Sequence, residues 1–267
     1  MAQWKYGVSF AEQSPMTAPL PLAGDLYENM DKAVELGYDG IEFHTREFFE
    51  FDEARLAQTK AELCMLVTGR LYTQGHHGML DEDPESVKCC MDGMKTYLNK
   101  AAKLGAGIVL GWAKGVVAPG KDREETLALL GKRLKELNDY GKEVGAPIVV
   151  EVINHYETNI FNTTAETLAF LERYDLDNCY LHLDTYHMNI EECDPYAAIR
   201  LAGKRLGYFH VADNSRRYPG SGQLDFKRLL AALKEIDYRG WVTVECIPEP
   251  DRETAAKLAL AHLKQCE

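Results

Sequence analysis

Four ionisable side chains close four short apolar runs in the second half of the chain: Glu151 in IVVEV, Asp184 in YLHLD, His210 in GYFHV and Glu245 in WVTVE. A strand buried on both faces is hydrophobic almost throughout, and an ionised group at its end is costly unless something compensates the charge. For one such residue, a strand end reaching solvent is explanation enough. Four in succession point to one shared compensator, a divalent cation. Three carboxylates and one imidazole make an oxygen-rich donor set, suited to Mn²⁺ first, with Co²⁺ or Mg²⁺ as alternatives, and unlike a thiolate-rich structural zinc site. Such a set leaves one net negative charge on a divalent ion and open positions for substrate oxygens, which describes a catalytic centre.

The elements that must hold these groups are visible in the hydrophobic pattern. Strand-like runs at 5–10, 40–45, 64–69, 107–112, 147–152, 179–184, 206–211 and 241–246 alternate with segments such as DLYENMDKAVELG, whose apolar residues recur at helical steps. Gly37, Gly105 and Gly145 stand where helices end and suit a left-handed terminus. Strands alternating with helices imply right-handed crossovers and a parallel sheet. Eight units predict an α/β fold of the (β/α)₈ TIM-barrel type, one domain over residues 1–267 with no linker inside it.

Strand parity then places the candidates together. Residues two apart share a face, so Val149 accompanies Glu151, His182 accompanies Asp184, Tyr208 accompanies His210 and Thr243 accompanies Glu245. The opposite parity holds Val150, Leu181, Leu183, Phe209, Val242 and Val244, apolar side chains fit to pack on outer helices. All four candidate ligands are therefore expected to point into the barrel mouth. The non-periodic stretches 11–23, 70–83, 113–121 and 212–224 all follow strand C-termini, the end on which such barrels build their active sites.

Composition narrows the partners. A net charge of -12 argues against nucleic acid, because phosphate neutralisation needs a basic face. No run approaches the roughly 20 apolar residues of a bilayer helix, so no membrane partner is expected. The start MAQWKYGVSF lacks the features of a secretory signal, and seven cysteines without CxxC spacing fit neither a zinc ribbon nor a disulfide framework. A cytoplasmic protein is the expectation.

The runs EVINHYETN (151–159), HLDTYHMNIEE (182–192), HVADNSRRYPGSGQLDF (210–226) and VECIPEP (244–250) resemble the xylose-isomerase-like sugar isomerase/epimerase family, most closely its ketose 3-epimerase branch. The resemblance implies Glu151, Asp184, His210 and Glu245 as metal ligands and gives Glu151 and Glu245 the acid/base roles. It also sets Glu157, His187 and Arg216 against substrate oxygens. The implied reaction inverts the carbon next to the ketone, C3, of a ketose or keto-sugar acid through an enediolate. A small keto sugar is thus the expected partner, and related epimerases often pair as homo-oligomers.

Other readings share the same chemistry or fold. An aldose-ketose isomerase like hydroxypyruvate isomerase or a keto-inositol dehydratase would use the same enediolate. An AP-endonuclease-like metal hydrolase would want more histidine ligands, and a non-catalytic sugar-binding protein would need no acid or base. Trp112 is read as an apolar wall for a sugar chain, and His187 as a loop residue reaching the mouth. His182 is read as a hydrogen-bonded core histidine, and Glu191 with Glu192 as a solvated face or, alternatively, a pair that caps or gates the site. The PGSGQLDF turn either cradles a phosphate at a helix start or is a plain tight turn. His44, His76, His77 and His155 have no assigned role.

Overall fold

The computed structural model describes residues 3–45, 49–68 and 78–267. In chain order the elements are β1 (Lys5–Ala11), β2 (Leu22–Ala23), α1 (Leu26–Leu36), β3 (Gly40–Phe43), α2 (Glu53–Leu56) and β4 (Glu62–Val67). Then come α3 (Pro84–Leu104), β5 (Gly107–Leu110), a 3₁₀ turn (Trp112–Lys114), α4 (Arg123–Val144), β6 (Ile148–Glu151), α5 (Thr164–Arg173) and β7 (Cys179–Asp184). The chain continues through α6 (Thr185–Glu191), α7 (Pro195–Ala202), a second 3₁₀ turn (Gly203–Arg205), β8 (Leu206–Val211), α8 (Phe226–Glu235), β9 (Trp241–Val244) and α9 (Arg252–Cys266).

Strands pair in the order β1-β3-β4-β5-β6-β7-β8-β9, all parallel, and β9 pairs with β1 to close the ring. The result is the expected TIM barrel. Its small departure is β2, a two-residue strand inside the predicted 11–23 loop that pairs in parallel beside the end of β1.

Local chemistry explains where the helices start and stop. Asp25, Asp83 and Asp122 accept N–H groups from the first turns of α1, α3 and α4, satisfying donors that have no partner within the helix. Gly37, Gly105 and Gly145 end the same three helices with φ of 94°, 66° and 82°, the left-handed region where a Cβ is strained.

Parity divides the core as expected. Val150, Leu181, Leu183, Phe209, Val242 and Val244 join the large apolar cluster between barrel and helices. Inside the barrel a smaller cluster of Cys64, Met65, Val67, Val109, Val149 and Tyr208 forms the plug beneath the mouth. Its one polar pair is satisfied, since Thr243 and Tyr208 hydroxyls lie 2.7 Å apart. Above this plug, β-pairing sets Asp184 level with His210 and Glu151 level with His182.

Two expectations shift. His187 lies not in a loop but on α6, a short helix that begins directly after Asp184. Most of the 70–83 stretch, with His76 and His77, lies outside the described residues. Among the described residues no helix is long and apolar enough to cross a membrane.

Candidate active site

The mouth gathers the four strand-end residues. Asp184, His210 and Glu245 offer ligand atoms within 4.8 Å of one another, and Glu151 forms a second group of that spacing with Asp184 and His187. Asp184 is therefore the shared member, with Glu151 on one flank and Glu245 on the other. Its two oxygens have separate tasks. Oδ1 accepts the Tyr186 N–H at 2.7 Å and so caps α6, while the fully buried Oδ2 faces His210 Nδ1 at 3.8 Å.

His210 Nδ1 is buried without a hydrogen-bond partner and lies 3.4 Å from Glu245 Oε2. Asp184 Oδ2, also buried, is compensated by the Arg216 guanidinium, whose Nη1 lies 2.9 Å away. Buried polar atoms are nearly always satisfied, so the orphaned His210 Nδ1, facing the carboxylates of Asp184 and Glu245, marks a place built for a ligand. The donor set fits a divalent cation held by Asp184, His210, Glu245 and Glu151.

Arg216 brings positive charge to the same point. Its Nη1 is 2.9 Å from Asp184 Oδ2 and its Nη2 donates to Glu245 Oε2, while the guanidinium carbon sits 4.6 Å from the Tyr186 ring centroid. The residue has φ of 62°, a backbone state disfavoured for a side chain with a Cβ. Two hydrogen bonds hold it there: Arg216 N–H donates to Asp213 O at 2.9 Å, and Ile247 N–H donates to Arg216 O at 2.7 Å. The strain is thus fixed by the β8 and β9 loops and aims the guanidinium inward.

Charge states follow from these neighbours. Burial opposes ionisation of Glu151, but the His187 hydrogen bond and the imidazoles of His182, His187 and His210 outweigh it and hold the carboxyl at about 2. Burial acts the same way on Asp184, and Arg216, with the neighbouring imidazoles, keeps it well below the usual range. His210 is opposite in sign: burial disfavours its charge, yet Glu42 and Glu245 lift it well above the ordinary value. Both carboxylates are therefore already deprotonated near neutrality, as ion binding requires.

His187 joins the substrate-side candidates. Its Nδ1 lies 2.7 Å from Asn154 Nδ2, which also donates to Glu157 Oε1 at 2.8 Å. The ring's Nε2 faces Glu151 Oε1 at 3.6 Å and Arg216 Nη1 at 3.4 Å. Glu157, His187, Arg216 and Trp112 all line one cavity of about 770 Å³ together with Glu151, His210 and Glu245. Of the predicted residues only Asp184 does not line this cavity: it is fully buried, while Trp112 stands on the cavity wall.

Gly111, at the end of β5, makes room for Glu151: a Cβ there would lie 2.6 Å from Glu151 Oε2. The clashing atom is the tip of a flexible side chain, so the barrel can absorb the change by turning the carboxylate aside. Gly111→Ala should unfold close to the wild-type temperature yet lose about 10²-fold in turnover, the cost of a misplaced reacting group. Thermal melts and steady-state rates on one preparation check both halves of this expectation.

Several readings change. The PGSGQLDF turn is no phosphate cradle, because the buried Asp213 carboxylate already accepts the N–H groups of Gly220, Gly222 and Leu224 at 2.9, 2.8 and 3.1 Å. His182 is fully buried but not hydrogen-bonded: both ring nitrogens lack a partner, and the ring packs edge-on to His210 and Tyr208 at 4.1 and 5.1 Å. Desolvation is the largest cause that holds it down to about 4, so it is neutral at pH 7. Glu191 and Glu192 are not a solvated face either, since they accept the N–H groups of His155 at 2.6 Å and Thr164 at 2.7 Å.

Besides Asp213, two further buried charges escaped the sequence reading. Glu42, on β3, is fully buried and hydrogen-bonded to His210. Its strand-facing parity was there to see in GIEF, but one acidic residue in an apolar run has no meaning until its partner is known. Lys114 is the other, wholly buried in the 3₁₀ turn with Nζ donating to Gly111 O at 3.0 Å. Burial, opposed by Glu151 and Glu157, lowers its ammonium to about 8.

Comparison with known proteins adds an independent line. Residues 30–266 match the model of a family described as xylose isomerase-like TIM barrel. The chain is 36% identical over 215 residues to an L-ribulose 3-epimerase of Methylomonas sp. (strain DH-1), covering 80% of this chain and 75% of that protein. It is 30% identical over 255 residues to a D-psicose 3-epimerase of Enterocloster bolteae, covering 92% and 83%. Among solved structures, a D-allulose 3-epimerase from Methylomonas sp. in complex with D-allulose superposes with a TM-score of 0.82 at 29% identity, over 99% of this chain and 97% of that one.

Proposed function

Because the chain belongs to the xylose isomerase-like TIM barrel family, we propose that it is a divalent-metal-dependent epimerase that inverts C3 of a ketose or keto-sugar acid. The observation that carries this reading is the pair of glutamates flanking Asp184, each with a histidine 3.6 Å away: His187 beside Glu151 and His44 beside Glu245. The similarity to ketose 3-epimerases at 30–36% identity supports the same class of reaction.

Asp184, His210, Glu245 and Glu151 would hold the ion, with Mn²⁺ the first choice and Co²⁺ or Mg²⁺ as alternatives. When bound, it supplies Lewis-acid stabilisation of the negative charge that develops on the substrate oxygens. The protein's own groups do the rest. One glutamate removes the C3 hydrogen as a proton, leaving a planar enediolate, and the other returns a proton from the opposite flank. Arg216, His187 and Glu157 pair with substrate oxygens and hold the reacting carbon between the two carboxylates. Trp112 covers the carbon chain.

The decisive measurement is a panel of keto sugars and keto-sugar acids incubated with Mn²⁺ in heavy water and followed by NMR. Deuterium entering C3 with the carbonyl in place is the expected result. A carbonyl that migrates would make the protein an aldose-ketose isomerase, and loss of water would make it a dehydratase. No exchange with any member of the panel sinks the enzymatic reading.

A further inference from the structure

We propose that Glu42 is the positioning residue that fixes His210 as an Nδ1 donor, an inference that rests on the reading of Asp184, His210 and Glu245 as an ion site. Glu42 comes from β3, three strands around the ring from β8, and reaches His210 through the barrel interior. Both residues are buried, Glu42 completely. Its Oε2 is 2.7 Å from His210 Nε2. A carboxylate offers only acceptors, so the imidazole proton belongs on Nε2 and the lone pair on Nδ1. That nitrogen is the one with no hydrogen-bond partner, turned toward Glu245 Oε2 at 3.4 Å and Asp184 Oδ2 at 3.8 Å.

The other oxygen of Glu42 is equally committed. Oε1 accepts from Ser9 Oγ at 2.7 Å and lies 2.9 Å from His44 Nε2. The same His44 nitrogen is 3.6 Å from Glu245 Oε1. One carboxylate therefore braces the ligand imidazole directly and borders the second acid/base group through His44. With Ser9 and His44 holding Oε1, the carboxylate cannot swing away from His210 without breaking two other contacts. A histidine ligand whose far nitrogen is held by a carboxylate has its ring plane fixed and keeps its proton on that far nitrogen when it binds an ion, and loss of that partner costs roughly 10–100-fold in metal affinity.

An amide in place of the carboxylate tests the tautomer directly, because its NH₂ can face Nε2 and draw the proton to Nδ1, where it would point at two carboxylates. Glu42→Gln is expected to weaken Mn²⁺ binding by about 10–100-fold in titration calorimetry. It is also expected to alter the visible absorption of bound Co²⁺, which reports coordination geometry, while the chelator-treated protein keeps its circular dichroism. In the wild type with Mg²⁺, long-range ¹H–¹⁵N correlation should find the His210 proton on Nε2. Unchanged Mn²⁺ affinity and Co²⁺ spectrum in Glu42→Gln, or a proton on Nδ1 in the wild type, overturns the proposal. If Glu42→Gln does not fold, the wild-type tautomer alone decides. A wild type that binds no ion is a separate failure, that of the ion-site reading itself.

Discussion

Glu151→Gln and Glu245→Gln are each expected to lower ketose turnover by about 10²–10⁴-fold at saturating Mn²⁺, with KM changed no more than a few-fold. Glutamine keeps the shape and one acceptor oxygen of each side chain, so the cavity wall survives. What disappears is a group able to take up and return a proton. Substrate contacts should persist, because Arg216, His187, Glu157 and Trp112 line the cavity independently of the proton on either glutamate. Steady-state rates and solvent deuterium uptake give the two numbers. A rise in KM with kcat unchanged would assign the glutamates to uniform binding rather than chemistry, and would remove their acid/base role.

Arg216→Leu should have the largest effect on stability. The guanidinium pairs with Asp184 and Glu245, which are respectively 0% and 8% exposed at the side chain. Removing one partner from a buried ion pair leaves charge without compensation and costs about 3–5 kcal/mol. In the presence of a chelator the variant's unfolding temperature is therefore expected to fall by on the order of 10 °C. Mn²⁺ should then raise the variant's midpoint more than the wild type's, since the ion supplies charge to the same carboxylates with no arginine to displace. Equal melting temperatures in chelator would mean that the pairing contributes nothing to stability.

The barrel was readable because its signals are local. Helix, glycine and strand recur within a few tens of residues, and Gly37, Gly105 and Gly145 take the left-handed conformation that their places in the pattern require. Parity along single strands was enough to send Glu151, Asp184, His210 and Glu245 to one mouth. What stayed hidden depends on contacts between distant segments. Glu42 acquires its meaning from His210, 168 residues later. The glycines of PGSGQLDF resemble an anion cradle until Asp213, seven and nine residues earlier, is seen to accept their N–H groups. Lys114 lies in a non-periodic stretch of the sequence and is, among the described residues, the largest charged side chain fully buried. Helix α6 was missed because its cap is Asp184 itself, a residue already assigned to the strand.

Ring closure has a consequence for biosynthesis. The first strand pairs with the last, β1 with β9, and Glu245 follows β9 directly. While the chain is still being made, Glu151, Asp184 and His210 emerge as an unfinished set of charges with neither their fourth member nor a closed barrel around it. Pairings of such long sequence separation form slowly because the intervening loop must be ordered first. Glu245 therefore joins Glu151, Asp184 and His210 only in the same late event that seals the barrel, and a ribosome-bound chain lacking β9 would lack the proposed site.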